Sequence, residues 1–404
     1  MSATSSSIRT PPADAAMAAQ EVPPTMPSQG TTANARAWFA LIRAGVVVSA
    51  IRTLVPAAGS ASAALDLPDA RWRAAGASAE ALARLREPGL VSARDLAWLD
   101  DPRHRLLGLD DADFPALLRR SPSPPPALFI EGDAGWLWHP QVAVVGSRNA
   151  TAGGRDNARD FATALAQSGL IVSSGLAEGI DAAAHAAALA ADCPTVAVVG
   201  TGSDVVYPAS QRRLAERIRA HGAIVSEFAP GTPARRENFP RRNRIIAGLA
   251  LGTLVIEAAE RSGALITARQ ASDAGREVFA VPGSIHNPLA RGCHRLIRQG
   301  AALVEDAREV IAALAPVAAS LADALRARLA DGADAPAATA ATAAAGAVDD
   351  PDHARVLAAL GHDPVAIDVL VARTGLTVAQ LSSILLLMEL QGRVAGVHGR
   401  YVRR

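Results

Sequence analysis

The densest set of residues able to do chemistry lies between Arg235 and Arg244, in the sequence RRENFPRRNR. It places five arginines around one aromatic residue, Phe239, and one acid, Glu237. The whole chain has a formal net charge of only +1, so this cluster is a local feature. Guanidinium groups suit phosphate oxygens, and an exposed ring beside them offers a face on which a base can stack. The cluster therefore predicts a surface for single-stranded nucleic acid, unless it is a solvated basic loop with Phe239 in the core.

A second group of candidates follows short apolar runs of the chain. Gly146, Ser147 and Arg148 come directly after the first run, and Ser174 and Gly175 end the second. Farther along, after the run that ends near Ile256, the candidates are Ser262, Gly263 and Thr267. Glycine turns at helix starts accept anions, because backbone N–H groups and the helix dipole point there. These turns predict a phosphate-binding rim; the alternative is that the glycines only close tight strand–helix turns.

The elements that must position these residues form a regular alternation. β-branched runs, each a predicted strand, occur at Val142–Val145, Leu170–Val172, Thr195–Val199, Ala223–Val225, Thr253–Ile256 and Glu277–Val281. Helix-patterned segments lie between them, for example Arg155–Gln167, Ala182–Ala191 and Gln211–His221. Alternation of this kind indicates a parallel sheet covered on both faces by helices. We therefore predict one doubly wound, mostly parallel α/β domain over residues 126–314.

The flanking parts of the chain have different compositions. Residues 1–33 are rich in Pro, Ser, Ala and Thr and predict a disordered tail, whereas residues 34–120 have a helical pattern. A proline-rich link, SPSPPP, separates this helical domain from the α/β domain. Residues 315–350 are dominated by alanine and read as a linker. Residues 351–404 predict three helices followed by a basic β-hairpin, which is the winged-helix arrangement.

Several classes of function are disfavoured by what the motifs lack. The turn at Gly146 is neither the GxGxxG of a dinucleotide fold nor the GxxxxGK[ST] of a P-loop, so NAD binding and NTP hydrolysis are not expected. Asp181 and His185 have no third ligand, so we expect a local hydrogen bond and no metal. Glu178, Asp181 and Glu257 form an acid/base pair only if they converge at the sheet edge; helix capping is the alternative.

Cysteine use and hydropathy suggest where the protein works. Cys193 and Cys293 lie far apart without a CxxC pattern, so they predict reduced thiols and neither a disulfide framework nor a zinc site. No apolar run reaches the roughly 18 residues of a membrane span, and the N-terminus has no secretory apolar region. We therefore expect a cytoplasmic protein without a membrane partner.

The motifs, taken in order, resemble the DNA-processing protein A (DprA/Smf) family. The resemblance covers roughly Leu106 to Leu314 and includes Tyr207-Pro208 and His185. Its other motifs are Pro126–Phe129, Val142–Arg148, Ser174–Asp181, Val198–Gly202, Ser226-Glu227, Phe239–Ile246, Val255–Ala258, Ser262–Arg269 and Val281–Gly283. One departure is Ala177-Glu178, which stands where a basic residue is common in the family.

The resemblance implies an extended Rossmann-like domain, with an N-terminal helical, SAM-like domain and a C-terminal winged helix. It implies sequence-independent binding of single-stranded DNA during natural transformation, protection of the incoming strand and loading of the RecA recombinase onto it. It also implies a homodimer without catalysis, cofactor or metal, and single-strand-binding protein is a further candidate partner. The expected DNA-contacting residues are Gly146, Ser147, Arg148, Ser174, Gly175, Arg236, Phe239, Arg241, Arg242, Asn243, Arg244, Ser262, Gly263 and Thr267.

Two rival interpretations remain open at this point. A nucleotide phosphoribohydrolase-like enzyme would share the fold and a glutamate after a strand, although its PGGxGTxxE signature is absent. A transcription factor is suggested by the winged helix alone. Its third predicted helix, Thr377–Gln391, contains no arginine, so we expect a protein contact or a weak phosphate contact through the wing and no reading of duplex sequence.

Overall fold

A computed structural model describes residues 29–332, 355–356, 359–360, 365–390, 394–397 and 400–403. Most of the predicted tail, the second half of the predicted linker and the turn of the predicted hairpin lie outside these residues. None of the helices in the described ranges is both long and apolar enough to span a bilayer.

Six helices form the N-terminal part of the described chain. Their bounds are Gln29–Ala44 (α1), Val48–Ala58 (α2), Ala61–Leu65 (α3), Asp69–Ala74 (α4), Ala79–Leu85 (α5) and Ala93–Asp100 (α6). Serine side chains cap α3, α5 and α6 by accepting hydrogen bonds from backbone N–H groups of the first turn. Trp38, Phe39, Trp72 and Trp98 fill a core between these helices. The predicted helical region is therefore helical, and its SAM-like arrangement stays a prediction.

A nine-stranded sheet forms the centre of the molecule. Its strands are His104–Gly108 (β1), Ala127–Gly132 (β2), Gln141–Val145 (β3), Ile171–Ser174 (β4), Thr195–Val198 (β5), Ala223–Ser226 (β6), Gly252–Val255 (β7), Glu277–Ala280 (β8) and Ala302–Leu303 (β9). The spatial order is β1-β2-β6-β5-β4-β3-β7-β8-β9. All neighbours are parallel except β1 with β2 and β2 with β6. The predicted doubly wound, mostly parallel sheet is confirmed, and β1, β2 and β9 extend it.

Helices cover both faces of this sheet. Their bounds are Ala116–Arg119 (α7), Ala152–Gln167 (α8), Ile180–Ala190 (α9), Arg212–His221 (α10), Asn238–Leu249 (α11), Gly263–Asp273 (α12), Arg291–Arg298 (α13) and Ala307–Gly332 (α14). Buried side chains of α11, α12 and α13 pack on one face, and those of α8, α9 and α14 pack on the other. Each face therefore has its own apolar core, as a parallel sheet requires.

The sheet begins earlier in the chain than the sequence suggests. Strand β1 lies inside the segment for which only helices were predicted, and it pairs with β2 along its whole length. Phe39 of α1 packs edge-on against Phe129 of β2, with ring centroids 5.0 Å apart. The N-terminal helices are thus packed against the antiparallel end of the sheet. The division of the chain at residue 120 stays a prediction.

The described C-terminal residues form a separate small unit. Helices Ile367–Thr374 (α15) and Val378–Leu390 (α16) accompany strands Val365–Ala366 (β10), Val394–Val397 (β11) and Arg400–Arg403 (β12). The strands are antiparallel in the order β10-β12-β11. The unit has an apolar core of its own, with Leu370, Leu381 and Leu385 fully buried. This arrangement agrees with the predicted winged helix.

Candidate nucleic-acid interface

The candidate interface lies where the strand order reverses direction. From β3 the chain moves outward through β4, β5 and β6, and it then returns to place β7 on the other side of β3. In open α/β sheets, such a switch point forms a crevice beyond the carboxyl ends of the two central strands. The backbone N–H of Ser147, just after β3, donates to the carbonyl of Glu257, just after β7, at 2.7 Å. The two strand ends are therefore tied together at the crevice.

The turn after β3 is held in shape by close backbone packing. A Cβ at Gly146 would lie 2.6 Å from Cγ1 of Ile180, and a Cβ at Gly179 would lie 2.2 Å from the carbonyl oxygen of Ser147. Gly179 also has φ = +80°, a conformation that side chains rarely adopt. The Ile180 N–H donates to the same Ser147 carbonyl at 3.2 Å. Arg148 is left exposed at the tip of this turn.

The helix start beside this turn already binds an anion from within the protein. Thr151 caps α8 by accepting from the Gly154 N–H at 2.9 Å. The Glu257 carboxylate accepts from the Thr151 N–H at 2.9 Å and from its hydroxyl at 2.7 Å. A Cβ at Gly154 would approach this carboxylate to 2.4 Å. The sequence predicted a phosphate at the start of α8, but the Glu257 side chain holds that position.

The arginine-rich segment runs from an exposed loop into a helix. Arg235 and Arg236 are exposed in the loop before α11, and Arg241 is exposed in its first turns. The Arg241 guanidinium carbon lies 5.6 Å from the centroid of the Phe228 ring. The alternative of a wholly solvated basic loop is therefore wrong for the part of the segment that forms α11.

Phe239 is half-buried and connects the turn after β3 with the arginine-rich segment. The guanidinium carbon of Arg148 lies 5.5 Å from the centroid of the Phe239 ring, which is a cation–π distance. The Tyr207 ring centroid lies 5.6 Å from the Phe239 ring centroid, and Tyr207 is 50% exposed. Arg148, Phe239 and Tyr207 thus form one continuous surface of a cation and two rings, here called the Arg148–Phe239–Tyr207 surface.

Arg242 lies in the interior, unlike its neighbour Arg241. It is 4% exposed and donates from Nη1 to the carbonyls of Gly175, at 2.7 Å, and Val198. Burial lowers the pKa of Arg242 to about 10, and the nearby Asp181 carboxylate opposes this shift. Burial likewise raises the pKa of Asp181, opposed by the charge of Arg242. Arg242 therefore holds the ends of two strands together and is turned away from solvent.

Arg244 and Asn243 are also engaged by the protein. The Arg244 guanidinium donates to the Glu227 carboxylate and, at 2.7 Å, to the carbonyl of Ser123. Burial lowers the pKa of Arg244, and the paired Glu227 opposes this shift. Asn243 donates to the carbonyl of Gly263 at 3.3 Å and so joins α11 to the start of α12. These two residues fix the position of α11.

The remaining candidates divide between interior and surface. The Ser174 hydroxyl is fully buried and donates to the Val144 carbonyl at 2.6 Å, while Gly175 and Thr267 are buried as well. Ser262 accepts from the Ala264 N–H and caps α12. Gly263 is exposed, with no atom within 4 Å of where a Cβ would stand. Of these residues, only Ser262 and Gly263 remain accessible to a bound strand.

The acidic residues considered for catalysis have separate partners. Asp181 accepts from the N–H groups of Gly175 and Ala177, and Glu178 accepts from the Ser210 hydroxyl. Glu257 is occupied at the start of α8. His185 is bonded through Nδ1 to Thr195 at 2.7 Å, so the expected local bond between Asp181 and His185 is not formed. Among the residues that the structure describes, no three His, Cys, Asp or Glu side chains are grouped to hold a metal.

Tyr207 is the one residue of this surface that was not among the candidate contacts. Its signal in the sequence was the Tyr207-Pro208 motif, which carried the family resemblance but has no charge. Its exposure beside Phe239 depends on the loop that follows β5, and spacing along the chain does not reveal that proximity.

Together, the doubly wound sheet and the cationic, aromatic crevice at its switch point define an extended Rossmann-like protein. A family model for the DNA recombination-mediator protein A matches residues 105–315, which is just over half of the chain. A second model, for the DprA winged helix domain, matches residues 335–400. The chain therefore belongs to the DNA recombination-mediator protein A (DprA/Smf) family.

Individual relatives agree with this assignment. The chain is 41% identical over 309 residues to Protein Smf of Escherichia coli (strain K12), covering 76% of this chain and 79% of that protein. It is 46% identical over 204 residues to the DNA processing protein DprA of Streptococcus pneumoniae, covering 50% of this chain and 72% of that protein. The X-ray structure of DNA processing protein A from Streptococcus pneumoniae superposes with a TM-score of 0.63 at 35% identity, covering 69% of this chain and 97% of that one.

Proposed function

We propose that this protein binds single-stranded DNA without sequence specificity along the switch-point edge of its sheet. The observation that carries the proposal is the Arg148–Phe239–Tyr207 surface, where a cation and two rings lie side by side and reach solvent. Arg235, Arg236 and Arg241 add exposed positive charge on the segment that supplies Phe239. Membership of a family of DNA-processing proteins supports the same ligand.

The chemistry of this surface favours unpaired strands. Arginine contacts to the sugar-phosphate chain carry no sequence information, so they predict similar affinity for different sequences. Rings can stack only on bases whose faces are free, and every base has such a face. Both features favour a single strand over a duplex and make the binding indifferent to base identity.

The finer cellular role rests on family membership. We propose that the protein shields incoming DNA and loads the RecA recombinase onto it during natural transformation. We further propose that it works as a homodimer in the cytoplasm, with single-strand-binding protein as a candidate partner. We propose no turnover, cofactor or metal for any of these steps.

The rival enzyme would need a glutamate free to act on a nucleotide at the sheet edge. Glu257 is the glutamate in that position, and its carboxylate accepts hydrogen bonds from Thr151 and Asn287. This engagement favours a structural role. Incubation with nucleoside monophosphates discriminates between the two functions, because release of free base would support the enzyme and contradict the binding protein.

The main test is a salt series of oligonucleotide binding. Four arginines of the interface, Arg148, Arg235, Arg236 and Arg241, are exposed. At about −0.7 per phosphate contact, four contacts give a slope of log K against log salt of about −3 for a single strand. Fluorescence anisotropy with single- and double-stranded oligonucleotides measures this slope. A slope near zero, or equal affinity for both forms, would contradict the proposal.

The Arg148→Ala variant tests one of these phosphate contacts in the same salt series. It should weaken single-strand binding and make the slope shallower by about 0.7, because one phosphate contact is lost. Arg159→Ala is the control, since Arg159 lies exposed on α8 and pairs with Asp156 outside the interface. Equal effects of the two substitutions would remove Arg148 from the interface.

A further inference from the structure

A second cationic site lies near the amino end of β8, away from the DNA surface. A cavity of about 300 Å³ opens between α12, α13 and the start of β8. The Arg148–Phe239–Tyr207 surface, by contrast, lies beyond the carboxyl ends of the strands. Three arginines line the cavity, Arg269, Arg276 and Arg295, and Glu277 is the one carboxylate in its wall.

The three arginines differ in exposure: Arg276 and Arg295 are half-buried, and Arg269 is exposed. Within the part of the chain that the structure describes, none of the three forms an ion pair. Arg276 donates to the Leu117 carbonyl at 3.2 Å, and Arg295 donates to a backbone carbonyl at 3.3 Å. The Nε atoms of Arg276 and Arg295 are buried without a hydrogen-bond partner. The guanidinium groups of Arg276 and Arg295 are therefore only partly satisfied by acceptors of this chain.

The electrostatics of the cavity also favour the binding of an anion. Burial lowers the pKa of Arg276, and the positive charge of Arg120 lowers it further. No carboxylate counteracts this shift, in contrast to Arg242 and Arg244, which face Asp181 and Glu227. A partly buried charge with like charges around it is costly unless an anion compensates it.

The shape and chemistry of the cavity define the missing anion. Guanidinium groups fit the oxygens of phosphate in forked pairs. The side chains of Ser272 and Gln299 add hydrogen-bonding groups to the wall. Its volume is at the lower limit of ligand pockets, so it suits a phosphate group or a molecule no larger than a mononucleotide. We propose that the Arg269–Arg276–Arg295 cavity is a second binding site, separate from the DNA surface, for the phosphate group of a ligand.

Calorimetric titration of the full chain tests this proposal. Inorganic phosphate, pyrophosphate and dAMP are titrated separately at matched ionic strength in chloride buffer. Arg269→Gln and Arg295→Gln should each weaken binding of the best of these ligands by at least about tenfold. Arg298→Gln should leave it unchanged, because Arg298 is exposed on α13 but does not line the cavity. Arg148→Ala should also leave it unchanged, which separates this site from the DNA surface.

A second arm distinguishes a free phosphate from a backbone phosphate of DNA. If Arg269→Gln weakens single-strand binding in the Arg148→Ala background and the free ligands do not bind, the site is supported with DNA as the phosphate source. The absence of binding by all three free ligands up to about 10 mM, together with unchanged oligonucleotide affinity, would overturn the proposal. It would also be overturned if Arg269→Gln altered only self-association in sedimentation, since the arginines would then meet carboxylates of a second chain.

Discussion

Two adjacent arginines in this protein lie in opposite environments, one exposed and one buried. Arg241 is exposed, whereas Arg242 is buried against backbone carbonyls. The arginine-rich motif could not separate the two residues, because composition alone does not show which side chains of a segment face the core. Helical periodicity does show which side chains face the core. The residues three, four and seven positions after Arg242 are all buried: Ile245, Ile246 and Leu249. Once the segment is recognised as a helix, Arg242 falls on its buried face.

Arg242 is predicted to contribute to stability more than to DNA binding. Arg242→Met should lower the free energy of unfolding by about 3 kcal/mol or more, because it leaves the buried Asp181 carboxylate without its compensating charge. Urea unfolding at neutral pH measures this loss. Any loss of DNA affinity should then match the loss of folded protein, and the salt slope should not change. A shallower slope in fully folded Arg242→Met protein would show that Arg242 contacts phosphate after all.

Phe239 is predicted to act through its ring and not through charge. Phe239→Leu keeps an apolar side chain beside Gly200 but removes the face on which a base stacks. Single-strand affinity should fall by about 1–3 kcal/mol per lost stack. Anisotropy titrations should give parallel salt plots for the two proteins, since no phosphate contact is removed. Unchanged affinity would mean that the ring only supports Arg148 and Tyr207.

At the scale of elements, the approach of α9 to the turn after β3 fixes where Arg148 projects. Gly179 begins this approach with a positive φ and no room for a Cβ. Gly179→Ala should therefore cost at least about 1–2 kcal/mol of stability. It should also weaken single-strand binding, because the turn must move to relieve the clash.

Gly153→Ala is the control for this substitution. Gly153 lies in α8, and a Cβ there would meet only the Thr151 hydroxyl, at 4.0 Å, so alanine should be tolerated or slightly stabilising. Thermal unfolding and anisotropy on both variants check the prediction. Tolerance of alanine at residue 179 would show that the turn is not held as rigidly as its packing implies.

The sequence predicted strands β3 to β8 well and did not predict strands β1, β2 and β9. Strands β3 to β8 are continuous apolar runs, a pattern that arises because helices bury both faces. Strand β1, HRLLG, has no such run and follows six helices, so the pattern placed it in the helical region. Strand β9 has only two residues. Such elements exist because a neighbouring strand offers hydrogen bonds to them, and a local pattern cannot show this.

The candidate site was predictable as a set of segments but not as a set of contacts. The turn at Gly146, the arginine-rich segment and the start of α12 do meet near one edge, as the strand ends required. The occupation of the α8 start by Glu257 was not predictable, because Glu257 comes about a hundred residues later. The burial of Ser174 and Thr267 likewise depends on packing between elements that are distant in the chain.

At the scale of the whole molecule, the winged helix is predicted to be dispensable for single-strand binding. The described part of this unit has its own apolar core, and all of the proposed DNA contacts precede residue 268. Removal of residues 351–404 should therefore change single-strand affinity by less than about threefold. Anisotropy with the shortened and full chains measures the difference. A much larger loss would place DNA contacts on the wing and contradict the assignment of binding to the α/β sheet.

The carboxylate at the start of α8 has a consequence for selectivity inside a cell. Related sheet architectures receive the phosphates of small metabolites at this position, and here the Glu257 carboxylate fills it. Coenzymes and free nucleotides, which are abundant, therefore cannot place a phosphate at the start of α8. In the proposed mode of binding, a single strand still binds, because many weak contacts along its length replace one strong contact. The proposed DNA surface should therefore favour a chain of nucleotides over its monomers.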